Sequence, residues 1–183
     1  FFQSWFDFYP LFAAETGALL AWTDTLMGDR LDAVHPLVRE RVRLEVERRI
    51  LTPNLERDDF WWMGFTPREV NNWNPWINSN WLASVLLLER DPERRVRAVR
   101  KIARSLDRFV DAYPDDGGCD EGPSYWGRAG ASLFEDVSAA AAAALSYASA
   151  SSLAALEKPV RVALQISLPD FSSLASSAWV CFR

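Results

Sequence analysis

Histidine and cysteine are almost absent from this sequence. The 183 residues include one histidine, His35, and two cysteines, Cys119 and Cys181, which form no CxxC pair and no His/Cys cluster. A zinc centre needs three or four such ligands at defined spacing, and a hydrolytic triad of the serine-protease type needs a histidine base. These scarcities exclude both kinds of site, so we predict no metal and no cofactor.

An excess of positive charge and long apolar runs are also missing. The net charge is −5, which argues against a nucleic-acid partner. No apolar run reaches the roughly 20 residues that a membrane-spanning helix requires. The sequence begins at Phe1, without an initiator Met and without a signal-peptide pattern, so we expect it to start inside a longer protein, which leaves its localisation open.

Tryptophan is the residue that stands out. Nine Trp bring the aromatic content to 13%, while 49% hydrophobic and 25% charged residues are ordinary for a globular domain. Two interpretations stay open for these rings: an aromatic core, or a cleft that stacks on flat ligands such as sugar rings.

Helical periodicity predicts an all-α domain. The predicted helices span 10–27, 36–51, 77–89, 93–113 and 127–148, and no strand pattern precedes residue 159. We expect Gly28 to end the first helix, Asp32 to cap the second and Thr52-Pro53 to stop it, followed by a long irregular connection over 54–76. Short and long connections alternate, which is typical of antiparallel helical hairpins.

Two polar, aromatic loops are predicted to lie at one end of this arrangement, which we call the rim. They are Asn71–Trp76 and Asp115–Trp126, and the short turn between the helices 77–89 and 93–113 brings both to the same end. The aromatic N-terminus and the Trp61-Trp62 pair are expected at the rim as well. His35 falls in a turn at the opposite end, so we predict a structural role for it.

Three chemistries fit such a rim. A carboxylate pair drawn from Asp116, Asp120 and Glu121 could hydrolyse a glycosidic bond, although acidic residues beside glycine also form turns. A terpene-type aspartate cluster is disfavoured because Asp115-Asp116 stand in a loop and not on a helix. The third is β-elimination at a uronic acid, in which an Asn amide neutralises the carboxylate and a Tyr moves the protons at C5 and O4.

A family resemblance favours the third chemistry. The run Asn71-Asn72-Trp73-Asn74-Pro75-Trp76, followed by Asp116-Gly117-Gly118-Cys119-Asp120-Glu121-Gly122-Pro123-Ser124-Tyr125-Trp126, resembles the helical domain of heparinase II/III family polysaccharide lyases. The segment 56–63 is similar to uncharacterised bacterial members. The resemblance covers roughly 10–137.

This resemblance implies an incomplete (α/α) toroid followed by a β-sandwich domain, with the active site between them. It implies that Asn72 neutralises the uronate carboxylate, that Tyr125 is the acid and in some members also the base, and that Glu121 lies beside the site. It also implies a periplasmic or secreted location. Many members have a histidine where Trp73 stands here, and another histidine in the β-sandwich. We therefore expect activity in the full-length parent and not in this chain alone.

The predicted organisation is a toroid fragment over 1–148, an Ala/Ser-rich tail over 149–183, and no β-sandwich domain. The predicted partners are an acidic polysaccharide and that missing domain. Two structural alternatives stay open: Asn72 as a turn residue and Tyr125 as a packed aromatic. At the level of function, a non-catalytic carbohydrate-binding module and a glycoside hydrolase remain alternatives. Besides Asn72 and Tyr125, the candidate substrate-binding residues are Glu121, Trp73, Trp76, Asn71, Trp126 and Arg57.

Overall fold

The protein is helical throughout the part that the computed structural model describes, residues 10–119 and 122–147. Its helices are α1 (Pro10–Val34), α2 (Pro36–Val46), α3 (Thr52–Glu56), α4 (Trp73–Leu88), α5 (Pro92–Ala112) and α6 (Pro123–Tyr147). A π-helical turn, Glu47–Leu51, joins α2 to α3, and a short 3₁₀ turn covers Trp61–Met63. The all-α prediction is confirmed for these ranges, in which no strand occurs. The predicted tail over 149–183 and the aromatic N-terminus lie outside the described residues.

The first helix is longer than predicted, because Gly28 does not end it. Gly28 is buried inside α1, and the Arg39 guanidinium of α2 packs against it. A β-carbon at Gly28 would lie 2.6 Å from Arg39 Cζ. The glycine therefore permits close approach of the two helices rather than a helix end.

The cap of α2 was also assigned to the wrong residue. His35 is the N-cap, and its Nδ1 accepts a hydrogen bond from the backbone N–H of Leu37 at 3.2 Å. Asp32 instead accepts a hydrogen bond from Arg39 at 2.7 Å. The predicted structural role of His35, in the turn between α1 and α2, is thereby supported.

Thr52-Pro53 does not stop the second helical segment. Pro53 lies in the first turn of α3, which directly follows the π-helical turn Glu47–Leu51, and the chain continues helical to Glu56. The chain then follows α5: Thr52 accepts a hydrogen bond from Arg94, near the start of α5, and Gly64 lies against Arg108, near its end. The segment 52–64, and not the end of the predicted helix 36–51, carries the chain to the rim.

α4 is the central helix of the fold, in contact with α1, α5 and α6. Ile77, Trp81 and Val85 form the predicted apolar face and are buried. α4 begins at Trp73 and not at Ile77, because the polar Asn/Trp stretch forms its first turn. A polar sequence thus enters a buried helix, which costs stability wherever a buried side chain lacks a hydrogen-bond partner.

The predicted helix 93–113 agrees with the structure better than the other predicted helices do. α5 runs Pro92–Ala112, and Asp91 caps it by accepting hydrogen bonds from the N–H groups of Glu93 (2.9 Å) and Arg94 (3.3 Å). Its apolar face buries Ile102, Leu106 and Phe109. The sharp division between its two faces is why the pattern alone sufficed. α6 starts at Pro123, earlier than the predicted Gly127, so Tyr125 and Trp126 belong to its first turn.

Candidate functional site

The starts of α4 and α6 lie side by side and form the candidate site. The Arg128 guanidinium of α6 sits 4.2 Å from the centre of the Trp76 ring of α4, and it also pairs with Glu15 of α1 at 3.0 Å. The Trp61 ring lies 5.3 Å from that of Trp73. The prediction that these segments meet at one rim is therefore confirmed for α4, α6 and Trp61.

Asn71 and Asn74 have structural roles at the start of α4. The Asn71 side-chain oxygen accepts a hydrogen bond from Trp73 N at 3.1 Å, which closes a tight turn. The Asn74 amide is fully buried and donates to Trp62 O at 2.8 Å and to Ser105 Oγ at 3.0 Å. Asn78 donates to the same hydroxyl at 2.9 Å. This buried network joins the 3₁₀ turn, α4 and α5.

Asn72 stands between these two residues and is different. Its side chain is 1% exposed, yet neither Oδ1 nor Nδ2 has a hydrogen-bond partner within the described part of the chain. It precedes α4 in a helical backbone conformation and does not cap the helix. A buried amide without partners costs about 1–3 kcal/mol and calls for an explanation. Asn72 does lie in a turn, as the turn-residue alternative expects, and its carbonyl accepts a hydrogen bond from Trp76 N, but the turn uses only its backbone and does not account for the burial of its amide.

Trp73 and Trp76 are half-buried, and each has a ring contact with the protein. The Trp73 ring contacts the Trp61 ring. The Arg68 guanidinium lies 4.0 Å from the centre of the same Trp61 ring. Trp76 lies against the Arg128 guanidinium, and its buried Nε1 has no partner in the described chain. These rings are therefore part of the wall of the rim, not free stacking platforms.

The start of α6 is open. Tyr125 is 45% exposed, which is inconsistent with the alternative of a packed aromatic. Trp126 donates its Nε1–H to Gly117 O at 2.7 Å, which ties the glycine-rich loop to the helix. Behind this contact lies a cavity of about 790 Å³, lined mainly by Phe109, Tyr113, Cys119, Trp126 and Leu133.

Asp116 of the acidic loop and Arg57 both contact neighbouring residues of this chain. The Asp116 carboxylate accepts a hydrogen bond from Gly118 N at 2.9 Å, as in a turn. Asp120 and Glu121 lie outside the described residues. Arg57 pairs with Asp59 at 2.9 Å and covers the Phe60 ring at 4.2 Å, and its carbonyl accepts a hydrogen bond from Lys101 of α5. Its guanidinium is thus already engaged on the α5 side of the fold.

Asp136 is a residue that the sequence interpretation missed. It lies on the buried side of α6, is completely inaccessible, and neither carboxylate oxygen has a partner among the described residues. Burial, and secondarily the charge of Glu135, raises the pKa of Asp136 well above its usual range. The spacing along the helix is the one indication of its position. Asp136 falls on the same side of α6 as Ala129 and Ser132, which are both buried.

Residues 10–119 and 122–147 contain no group of three His, Cys, Asp or Glu that could hold a metal ion. Over the same ranges, no helix is both long and apolar enough to cross a membrane.

The chain matches no model of a protein family, and a search of curated proteins finds no match.

Proposed function

We propose that this chain is the helical part of a polysaccharide lyase that cleaves uronic-acid-containing glycans by β-elimination, arranged as an incomplete (α/α) toroid. The observation that carries the proposal is the buried amide of Asn72, for which the described part of the chain offers no hydrogen-bond partner. Its neighbours Asn71 and Asn74 are both hydrogen-bonded within the protein. An amide that has no hydrogen-bond partner among residues 10–119 and 122–147 is suited to bind an external carboxylate.

In the proposed reaction, the Asn72 amide hydrogen-bonds the uronate carboxylate and so makes the neighbouring C5–H more acidic. A base removes the C5 proton, the electron pair of that bond forms the C4=C5 double bond, and the C4–O bond breaks. The leaving oxygen takes a proton from the Tyr125 hydroxyl, which is exposed at the start of α6. Because Asn72 is covered in this structure, binding requires that the residues over it move.

A further domain, the β-sandwich that the resemblance implies, would supply the other wall of the cleft. The exposed first turn of α6 offers a surface for it, with Trp126 37% exposed beside Tyr125. Glu121 is proposed beside the site on the resemblance alone. Trp73 and Trp76 are proposed to form part of the cleft wall. They would contact the substrate only through the edges of their rings that stay exposed.

The test is to incubate the full-length protein containing this chain with heparan sulfate, chondroitin, hyaluronan and alginate. The new C4–C5 double bond absorbs ultraviolet light, so turnover is read directly. Absence of this absorbance with all four glycans, from a protein shown to be folded, would contradict the proposal. Cleavage products without the double bond would indicate a glycoside hydrolase instead.

A non-catalytic carbohydrate-binding module is the second candidate. It is favoured by Trp73, which stands where many of these lyases have a histidine, and by the burial of Asn72. Quenching of Trp fluorescence by glycans, with no turnover in the full-length protein, would select this function.

A further inference from the structure

A row of arginines follows the exposed side of α5. Arg97, Arg100, Arg104 and Arg108 are all exposed. At 3.6 residues per turn they fall within an arc of roughly 100°, and at 1.5 Å per residue the row is about 16 Å long. They form one continuous cationic edge along the helix.

This edge borders a groove of about 760 Å³, which we call the α5 groove. The opposite wall is the chain around Gly64, Phe65 and Thr66. Gly64 has a positive φ of 75°, and a β-carbon there would lie 2.5 Å from Arg108 Cβ, so glycine is required for this close approach. The position of this wall of the α5 groove thus depends on the backbone conformation at Gly64.

The groove retains its positive charge. The one acidic side chain among the described residues that line it, Asp58, pairs with Lys101 at 2.7 Å. Within the described chain, Arg97, Arg100 and Arg108 have no acidic partner, and Arg104 lies 5.5 Å from the Phe65 ring. Elsewhere the opposite arrangement occurs: Arg39 and Arg43 both form ion pairs with Asp24, and Arg39 also pairs with Asp32.

The charge arrangement also defines the shape of a ligand. Guanidinium groups match carboxylate, sulfate and phosphate oxygens in paired hydrogen bonds. Charges spread along a line suit a linear polyanion better than one compact anion. The chain as a whole is acidic, so the attraction is local to this groove and not a property of net charge.

We propose that the α5 groove binds a linear acidic polysaccharide, at a site formed by different residues from those of the proposed reaction. The groove's arginines determine that the ligand is a linear polyanion. The choice of a glycan over a nucleic acid rests on the proposed function. The groove holds the chain, while Asn72 and Tyr125 belong to the site where it would be cleaved.

The experiment uses the full-length protein and a fluorescently labelled heparan sulfate oligosaccharide, with binding followed by fluorescence anisotropy over a range of NaCl concentrations. The groove variant is Arg100→Gln/Arg104→Gln/Arg108→Gln. The matched control is Arg30→Gln/Arg48→Gln/Arg90→Gln, which removes the same charge from exposed positions outside the groove. Circular dichroism and thermal unfolding establish that both variants are folded.

We expect the groove variant to lose about tenfold or more in affinity near 0.1 M salt, with a weaker salt dependence, and the control to lose less than about threefold. Equal losses in both variants, no loss in either, or no binding by the wild type would overturn the proposal. A single-stranded DNA of equal charge that binds more tightly and is lost in the groove variant would overturn it in favour of nucleic acid. Tyr125→Phe separates the two proposals, because it should remove turnover and leave this binding unchanged.

Discussion

The starts of α4 and α6 lie next to each other but differ in how far the chain completes them. At α4 the side chains are buried, and Asn74 is hydrogen-bonded to Trp62 and Ser105. At α6 the first turn is open, with Tyr125 exposed, and farther along the helix the buried Asp136 has no partner in the described chain. The difference shows that Asn74 ties the start of α4 into the fold, whereas Tyr125 on α6 is exposed and Asn72, close to Asn74, has no hydrogen-bond partner in the described chain.

The largest effect is expected on turnover, from a substitution at the open start of α6. Tyr125→Phe should lower lyase turnover of the full-length protein by about 10³-fold or more, because it removes the proposed proton donor. The unfolding midpoint should not change, since the hydroxyl is on an exposed residue. The assay is ultraviolet absorbance of the C4–C5 double bond.

Tyr113→Phe is the matched control for this substitution. Tyr113 packs against Phe109, with ring centres 4.9 Å apart, and has no role in the proposed reaction. Retention of activity by Tyr125→Phe would remove that side chain from the mechanism.

The second effect concerns stability on the α4 side. Asn74→Ala should destabilise the protein by about 3 kcal/mol, because it removes the donors to Trp62 O and Ser105 and leaves a small cavity. Urea unfolding followed by circular dichroism measures this change. A loss below about 1 kcal/mol would show that the network is not what holds α4 in place.

On the α6 side, Asp136→Asn should raise the free energy of unfolding, by less than Asn74→Ala lowers it. The pKa of Asp136 is raised in the folded state, so the wild type loses stability as pH rises from the unfolded pKa towards the folded one. Asn cannot ionise, so the variant should be more stable at pH 7, by on the order of 1 kcal/mol, with little difference near pH 4. Urea unfolding at both pH values tests this, and a variant less stable at pH 7 would contradict it.

Asp24 provides the internal contrast to Asp136. Burial alone would raise its pKa, but the hydrogen bonds and charges of Arg39 and Arg43 outweigh burial and hold the pKa below its usual value. Asp24 therefore adds stability that is present above its unfolded pKa and is lost as pH falls through its folded pKa. Asp24→Asn should destabilise at pH 7, by about 1–2 kcal/mol because both arginines are partly exposed. An unchanged unfolding midpoint would contradict this.

Where the pattern was strong, the fold followed from the sequence. α5 has a charged face, an apolar face, an Asp cap and a Pro at each end, and every one of these signals is local. The prediction that Gly28 ends the first helix is wrong, because the glycine serves close packing against Arg39, which lies on another helix. The sequence predicts a loop for the first turn of α4, because nothing local shows that Ser105 accepts a hydrogen bond from Asn74.

The site was predictable in position but not in detail. The hairpin argument placed the starts of α4 and α6 together, as the contact between Trp76 and Arg128 shows. Asn71, Asn72 and Asn74 look equivalent in sequence. In the structure a local turn bond to Trp73 N distinguishes Asn71, and tertiary contacts to Trp62 and Ser105 distinguish Asn74. The α5 groove was hidden by a net charge of −5, although the spacing of its arginines was visible.

The central claim is that the Asn72 amide is kept without a partner for a substrate carboxylate. The most direct test is the rate of double-bond formation by Asn72→Ala in the full-length protein, relative to wild type, with the folded fraction matched by circular dichroism. We expect a loss of about 100-fold or more, with unfolding free energy within about 1 kcal/mol of wild type because the Asn72 side chain forms no hydrogen bond with residues 10–119 or 122–147. Wild-type turnover by Asn72→Ala would contradict the claim.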